Sequence, residues 1–169
     1  MKIGEFWERL REEVRKSQPD FPTSLLSDEA LGQLSEDLLE CNITMRNLIK
    51  EARSLSLPIA LCTNNTEFWM KRLDQRFKIQ ELFDSVLISY ERGAVKPSPV
   101  IIEMAARSLQ LELNSIAFID DREENCRSAA RLGLQPILFR SAKTLRSTLR
   151  GFGLPLRSDD SDNKWVKRL

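Results

Sequence analysis

The sequence contains no histidine. That absence excludes Ser-His-Asp and Cys-His triads and every histidine-based metal site. Catalysis in such a chain must run on carboxylates, lysine, hydroxyls, backbone groups and a hard metal ion. Cysteine is scarce: Cys41, Cys62 and Cys126 stand far apart, with no CxxC pair and no even framework. This argues against a disulfide scaffold and against zinc. Cys62 and Cys126 fall in segments read as packed, where a free thiol is a small apolar filler suited to a reducing cytosol. No run approaches 18 apolar residues, and "MKIGEFWERLREEV" lacks the apolar stretch of a signal peptide. The expectation is a cytoplasmic protein with no membrane partner. Net charge is only +1, so no overall field argues for nucleic acid.

What is present suits a soluble α/β domain. The chain has 169 residues, 41% hydrophobic and 30% charged. A chain of that size buries about 70% of its unfolded surface and needs no covalent staples. Ile3, Phe6, Trp7, Leu10 and Val14 recur at helical spacing, which predicts a helix over 2–17. Two prolines in "QPDFPTSLLSD" break it. Ser27 then caps a helix over about 28–40, and Asn42 or Thr44 caps another over about 44–55.

After residue 55 the period changes. "PIALCTNN" reads as a buried parallel strand, followed by a helix over 66–76. Strands are expected at 85–89, 115–120 and 135–139, with helices at 98–110, 123–132 (closed by Gly133) and 142–150. The remaining "RSDDSDNKWVKRL" reads as a polar tail without structure, apart from a docking role for Trp165. Helices first, then strict β-α alternation, predicts a parallel sheet whose site lies at the strands' carboxyl ends.

Those ends deliver a short set of polar residues. The first strand ends on Thr63, Asn64 and Asn65. The loop after the second carries Lys96, followed by Pro97. The third ends on Asp120 and Asp121, with Asn125 four residues on. Each piece alone has a plain reading: "TNN" as a turn, "KP" as a solvated loop, "DD" as a charge run suiting a helix N-terminus. Adjacent carboxylates repel, however, and cost stability unless a cation lies between them. Together the residues suit phosphate and Mg²⁺: acids for the metal, Lys96 and the Thr63 hydroxyl for phosphoryl oxygens.

The order Thr63, Lys96, Asp120–Asp121 is not that of phosphoacceptor receiver domains, where the acid pair comes first and the Lys-Pro last. It resembles the haloacid dehalogenase (HAD) superfamily, in its subgroup with a helical cap near the N-terminus. "LIKEARSLSLPIALCTNN" resembles the family's second motif, "YERGAVKPSPVIIEMAARSL" the third, and "AFIDDREENCRSAARLGLQPILF" the fourth. The wording is similar to that of the N-terminal phosphatase domain of soluble epoxide hydrolase.

The resemblance implies a three-layer Rossmann-like parallel sheet over 44–155 with a helical cap remnant over 1–43 and a polar tail over 156–169. It implies Thr63 and Lys96 as catalytic residues, Thr63, Asn64 and Lys96 as phosphate-binding, and a small phosphorylated metabolite as substrate. Asp121 is then the direct Mg²⁺ ligand and Asp120 acts beside it. Oligomeric state stays open.

One part of the family pattern is missing. Its first motif is a strand ending in D-x-D, whose first aspartate is the nucleophile and second the general acid/base. No D-x-D follows an apolar strand here, and the only one, Asp160–Ser161–Asp162, lies in the polar tail. The family places that strand between those ending in Thr63 and Asp120, so a gap or a forced pairing is expected there. Three readings stay open: a Mg²⁺-dependent phosphatase whose nucleophile these residues do not supply, a pseudo-enzyme acting through interactions, and a fragment without independent function.

Overall fold

The computed structural model describes residues 3–158 and 164–167. Asp160–Ser161–Asp162 lies outside them. The chain opens with helices α1 (Ile3–Ser17) and α2 (Asp28–Leu38), a two-residue strand β1 (Cys41–Asn42) and helix α3 (Ile43–Ser54). Then come β2 (Ala60–Thr63), α4 (Glu67–Phe77), β3 (Ser85–Ile88), the short α5 (Ser89–Arg92) and α6 (Pro99–Ser108). The order closes with β4 (Ala117–Asp120), α7 (Glu123–Arg131), β5 (Gln135–Leu138), α8 (Ala142–Gly151) and β6 (Trp165–Val166).

Helix starts follow the capping residues. The Ser27 hydroxyl accepts from Ala30 N at 3.1 Å, and the Asn42 side chain accepts from Met45 N at 3.0 Å. Asn42 rather than Thr44 therefore caps α3. Ser98 caps α6 with Pro99 in its first turn, where the missing N–H has no partner to lose. Gly133 follows α7 with φ +89°, the left-handed exit that glycine allows without a Cβ clash.

The strands form two separate parallel pairs. In the first, Ala60 to Thr63 run beside Ser85 to Ile88; in the second, Ala117 to Asp120 run beside Gln135 to Leu138. Among the described residues β2 and β4 are not hydrogen-bonded to each other. The two pairs share one helical layer. Ile101, Ile102, Ala105 and Ala106 of α6 pack with Leu87, Ile116 and Ala129, and both Cys62 and Phe118 lie against this cluster. On the opposite face Leu48 of α3 and Leu145 and Leu149 of α8 pack with Ile137, and Ile119 joins them. Neighbouring Phe118 and Ile119 thus point to opposite layers, as the two-residue strand period requires.

Two expectations need correction. β2 is not a buried strand: all four of its residues are half-buried. A parallel strand reaches full burial only when both edges and both faces are covered, and among the described residues β2 has a strand partner on one edge alone. The polar tail is not structureless over its described residues either. Leu156 is buried against α3 and α8, and Arg157 N donates to Glu51 Oε1 at 2.5 Å. β6 pairs antiparallel with β1, Ile43 N donates to Lys164 O at 2.8 Å, and Arg76 Nε donates to Lys167 O at 2.6 Å. Trp165 itself is exposed, so the segment docks through backbone rather than through the indole.

Helices α1 and α2 pack on each other, and Arg11 joins them by donating to Leu26 O at 2.8 Å and pairing with Asp28. They reach the sheet domain through Trp7, 4% exposed, which meets Phe68 and Trp69 of α4 edge-to-face at 5.9 and 6.4 Å. Among the described residues no helix is long and apolar enough to cross a membrane.

Candidate active site

The carboxyl ends of β2 and β4 and the loop after β3 carry the polar residues singled out above. Asp120 closes β4 opposite Leu138. Its Oδ2 accepts from Lys96 Nζ at 2.6 Å, and its Oδ1 accepts from Arg122 N at 2.9 Å and Asn125 Nδ2 at 2.8 Å. The side chains are nearly out of solvent, 14% exposed for Lys96 and 3% for Asp120. Burial drives the Asp120 carboxyl upward, but the lysine, the Arg122 amide and the Asn125 amide outweigh it and hold it below the ordinary carboxylate range.

Lys96 is itself held in place. Its N–H donates to Asn64 Oδ1 at 2.7 Å, and its carbonyl accepts from Asn64 Nδ2 at 2.8 Å. This two-point clamp ties the loop after β3 to the end of β2. Asn64, Lys96, Asp120 and Asn125 therefore form one connected group across the two strand pairs. Thr63 stands at the last paired position of β2, opposite Ile88 and next to Asn64. Asp121 is exposed directly after β4, outside that hydrogen-bonded group.

Ser89 has a role that sequence reasoning missed. Read as the last residue of a strand, it instead opens α5, and its hydroxyl accepts from Asn65 N at 3.0 Å and donates to Asn65 O at 3.1 Å. It fixes the turn after β2 from the start of α5. The only signal available was a serine at a strand end. Burial pushes the nearby Cys62 thiol up to about 11, against the smaller opposing effect of Lys96, and so disfavours its nucleophilic thiolate form.

A family model for haloacid dehalogenase-like hydrolases matches residues 2–133. The chain belongs to that family. It is 26% identical over 146 residues to bifunctional epoxide hydrolase 2 of Rattus norvegicus, covering 80% of this chain and 26% of that protein. It is 32% identical over 107 residues to the phosphatase MT3486 of Mycobacterium tuberculosis (strain CDC 1551 / Oshkosh), covering 62% of this chain and 49% of that one. The chain thus spans a quarter to a half of the length of these relatives. A HAD family enzyme of Bacteroides thetaiotaomicron, solved with magnesium and inorganic phosphate, shares the fold at TM-score 0.61 and 20% identity, over 79% of this chain and 69% of that one.

The donor set here can be tested against the Mg²⁺ that such a relative holds. Mg²⁺ takes oxygen ligands, uses one or two carboxylates and keeps several waters. The oxygen donors at this end of β4 are the exposed Asp121 carboxylate, the Asp120 carboxylate, and Asn125 Oδ1, which is buried without a hydrogen-bond partner among the described residues. These fit a hard cation in kind. They are few in number: among the described residues no group of three or more His, Cys, Asp or Glu side chains converges on one point. Lys96 also competes for the charge of Asp120, leaving Asp121 as the carboxylate open to a metal.

Proposed function

We propose that these residues form the phosphate- and magnesium-handling half of a HAD-like phosphatase site acting on small phosphorylated metabolites, and that they turn over no substrate by themselves. The observation that carries this reading is the Lys96–Asp120 contact held by the Asn64 clamp, at the carboxyl ends of strands from two separate pairs. A lysine and a hydroxyl at such an edge suit phosphoryl oxygens, because fixed donors stabilise charge there without reorganising. Thr63, Asn64 and Lys96 would hold the phosphate; Asp121, with Asp120 and Asn125 beside it, would hold the metal. Bound Mg²⁺ would supply charge neutralisation at the phosphoryl oxygens. The names of the mycobacterial relative and of the Bacteroides complex support phosphate as the ligand class.

Silence of the 169 residues alone follows from their chemistry. Aspartyl phosphoryl transfer needs a carboxylate nucleophile with a base beside it, and among the described residues no strand ends in D-x-D. Histidine is absent, and the half-buried Cys62 thiol is pushed up to about 11. Two measurements test the reading. Inorganic phosphate with Mg²⁺ should shift the backbone NMR signals of Thr63, Asn64, Lys96 and Asp121, and Lys96→Met should abolish the shifts; no shift at millimolar phosphate refutes the site. Hydrolysis of an aryl phosphate should stay at background and be unchanged by Asp121→Asn; robust turnover lost in Asp121→Asn refutes the silence.

A further inference from the structure

Helix α4 turns three long polar side chains toward α2. Arg72, Gln75 and Arg76 are spaced i, i+3 and i+4, so they share one face of the helix. With Glu36 and Leu39 at the end of α2 they line a cleft of about 250 Å³. The cleft lies at the second and third turns of α4, away from the strand ends that carry Thr63, Lys96 and Asp120.

Both guanidinium groups are held in place. Arg72 sits over the Phe68 ring, 3.6 Å from its centroid, and Arg76 lies 5.5 Å from the centroid of Phe77. Arg76 Nε donates to Lys167 O at 2.6 Å, and its Nη1 donates to Glu36 O. No acceptor stands at its Nη2 among the described residues. Arg72 Nε is 2.7 Å from Glu36 Oε1, yet it is buried and makes no hydrogen bond among the described residues. A carboxylate that close without a hydrogen bond stands out of line with the N–H. A buried donor without an acceptor is costly, so the cleft has an unmet demand for an oxygen.

The charges also fail to balance. Among the lining side chains two arginines face one glutamate. Guanidinium groups fixed by rings and backbone present their edges, and those edges match the paired oxygens of a carboxylate. We propose that the cleft is a binding site for a small organic monoanion. Its carboxylate is held between Arg72 and Arg76, with Gln75 at the rim, and its short apolar part meets Leu39. A monoanion balances the residual positive charge, whereas Glu36 repels a dianion. The volume falls below the range of about 300–1,000 Å³ that takes drug-sized ligands, so the apolar part is a few carbons long. Glu36 acts as a built-in competitor that keeps the affinity low. The proposal rests on these contacts alone and is independent of phosphate chemistry at Lys96.

Titration of the full chain with sodium butyrate at constant ionic strength tests it, followed by ¹⁵N NMR of the arginine Nε–Hε groups and the backbone amides. The expected result is saturable shifts at Arg72, Gln75 and Arg76 and none at Thr63 or Lys96. Butyramide, the neutral isostere, should give none. Glu36→Gln removes the competitor and should tighten butyrate about tenfold, and Arg76→Gln should weaken it about tenfold, the scale of one charge near a protein surface. Arg76 also holds Lys167, so the Glu36→Gln result decides if Arg76→Gln loses the parent's circular-dichroism spectrum. Four results would overturn the proposal: no saturable shift at tens-of-millimolar butyrate; equal shifts with butyramide, meaning an apolar cleft only; affinity unchanged or weaker in Glu36→Gln; or shifts spread equally over exposed arginines elsewhere, such as Arg9 and Arg131.

Discussion

β2 and β4 are both four-residue parallel strands with one partner each, yet they have different fates. β4 sends Phe118 into one helical layer and Ile119 into the other, and its last residue, Asp120, is buried with three hydrogen-bond donors around it. β2 sends Cys62 to the shared layer and stays half-buried at every position. The helix that packs on β2 is α6; away from the strands, α2 keeps Leu34 54% and Leu38 69% exposed. Burial along β4 is uneven, from an exposed Ala117 at its start to a buried Asp120 at its end, whereas β2 is half-buried throughout. The Asp120 side of the site is organised before any ligand arrives, whereas the Thr63 side is held by its links to Lys96 and Ser89.

The strongest way to break this contrast is at α6, which both strand pairs share. Ile101 is fully buried. Ile101→Ala should cost about 2–5 kcal/mol, the range for truncating a core aliphatic, read from the urea midpoint. It should loosen β2 and β4 together; amide exchange that changes at β4 alone would show that the two pairs do not share a core.

A slightly smaller effect is expected where the tail locks onto the β4 side. Arg146 donates to Glu51 Oε2 at 2.6 Å with both side chains largely buried, and Arg157 N donates to the other oxygen. Arg146→Ala leaves the Glu51 charge uncompensated and should cost about 3 kcal/mol. Burial raises the Glu51 carboxyl, but the Arg157 amide and Arg146 outweigh it and hold it below its ordinary value. A depressed carboxyl contributes stability that is complete above its unfolded pKa, about 4.3, and is lost as pH falls through the lower folded value. Glu51→Gln should accordingly remove part of the loss of stability on acidification below that pH, measured by denaturation at a series of pH values.

Lys96→Met sharpens the comparison at the site itself. Without the ammonium, burial acts on Asp120 opposed only by two neutral donors, so its carboxyl should titrate higher than in the parent chain. A ¹³C titration of the Asp120 carboxyl would read this; an unchanged midpoint would mean that Lys96 does not hold the charge. Smallest of all is Leu34→Ala on the open face of α2, which should change stability by no more than about 0.5 kcal/mol. A larger loss would show that Leu34 is covered in solution and would erase the contrast between the two regions.

Much of this architecture was legible in the residues. Caps at Ser27, Asn42 and Ser98 act through local hydrogen bonds, so they could be read locally. The alternation of apolar runs and helical stripes located the four parallel strands, and strand ends pointed to Lys96 and Asp120. Other features had no local signal. Ser89 acts on Asn65 from 24 residues away. The β1–β6 pair joins residues more than a hundred positions apart through two-residue strands too short to show a period.

The sequence by itself determined the order of the longer helices and the four parallel strands, their approximate bounds, and the set of polar residues at the strand ends, because propensity, capping and periodicity act over a few residues. Only the tertiary structure decided that Lys96 neutralises Asp120 and that β2 remains half-buried. Those outcomes depend on which layers meet across long loops, and no window of sequence contains both sides of such a contact.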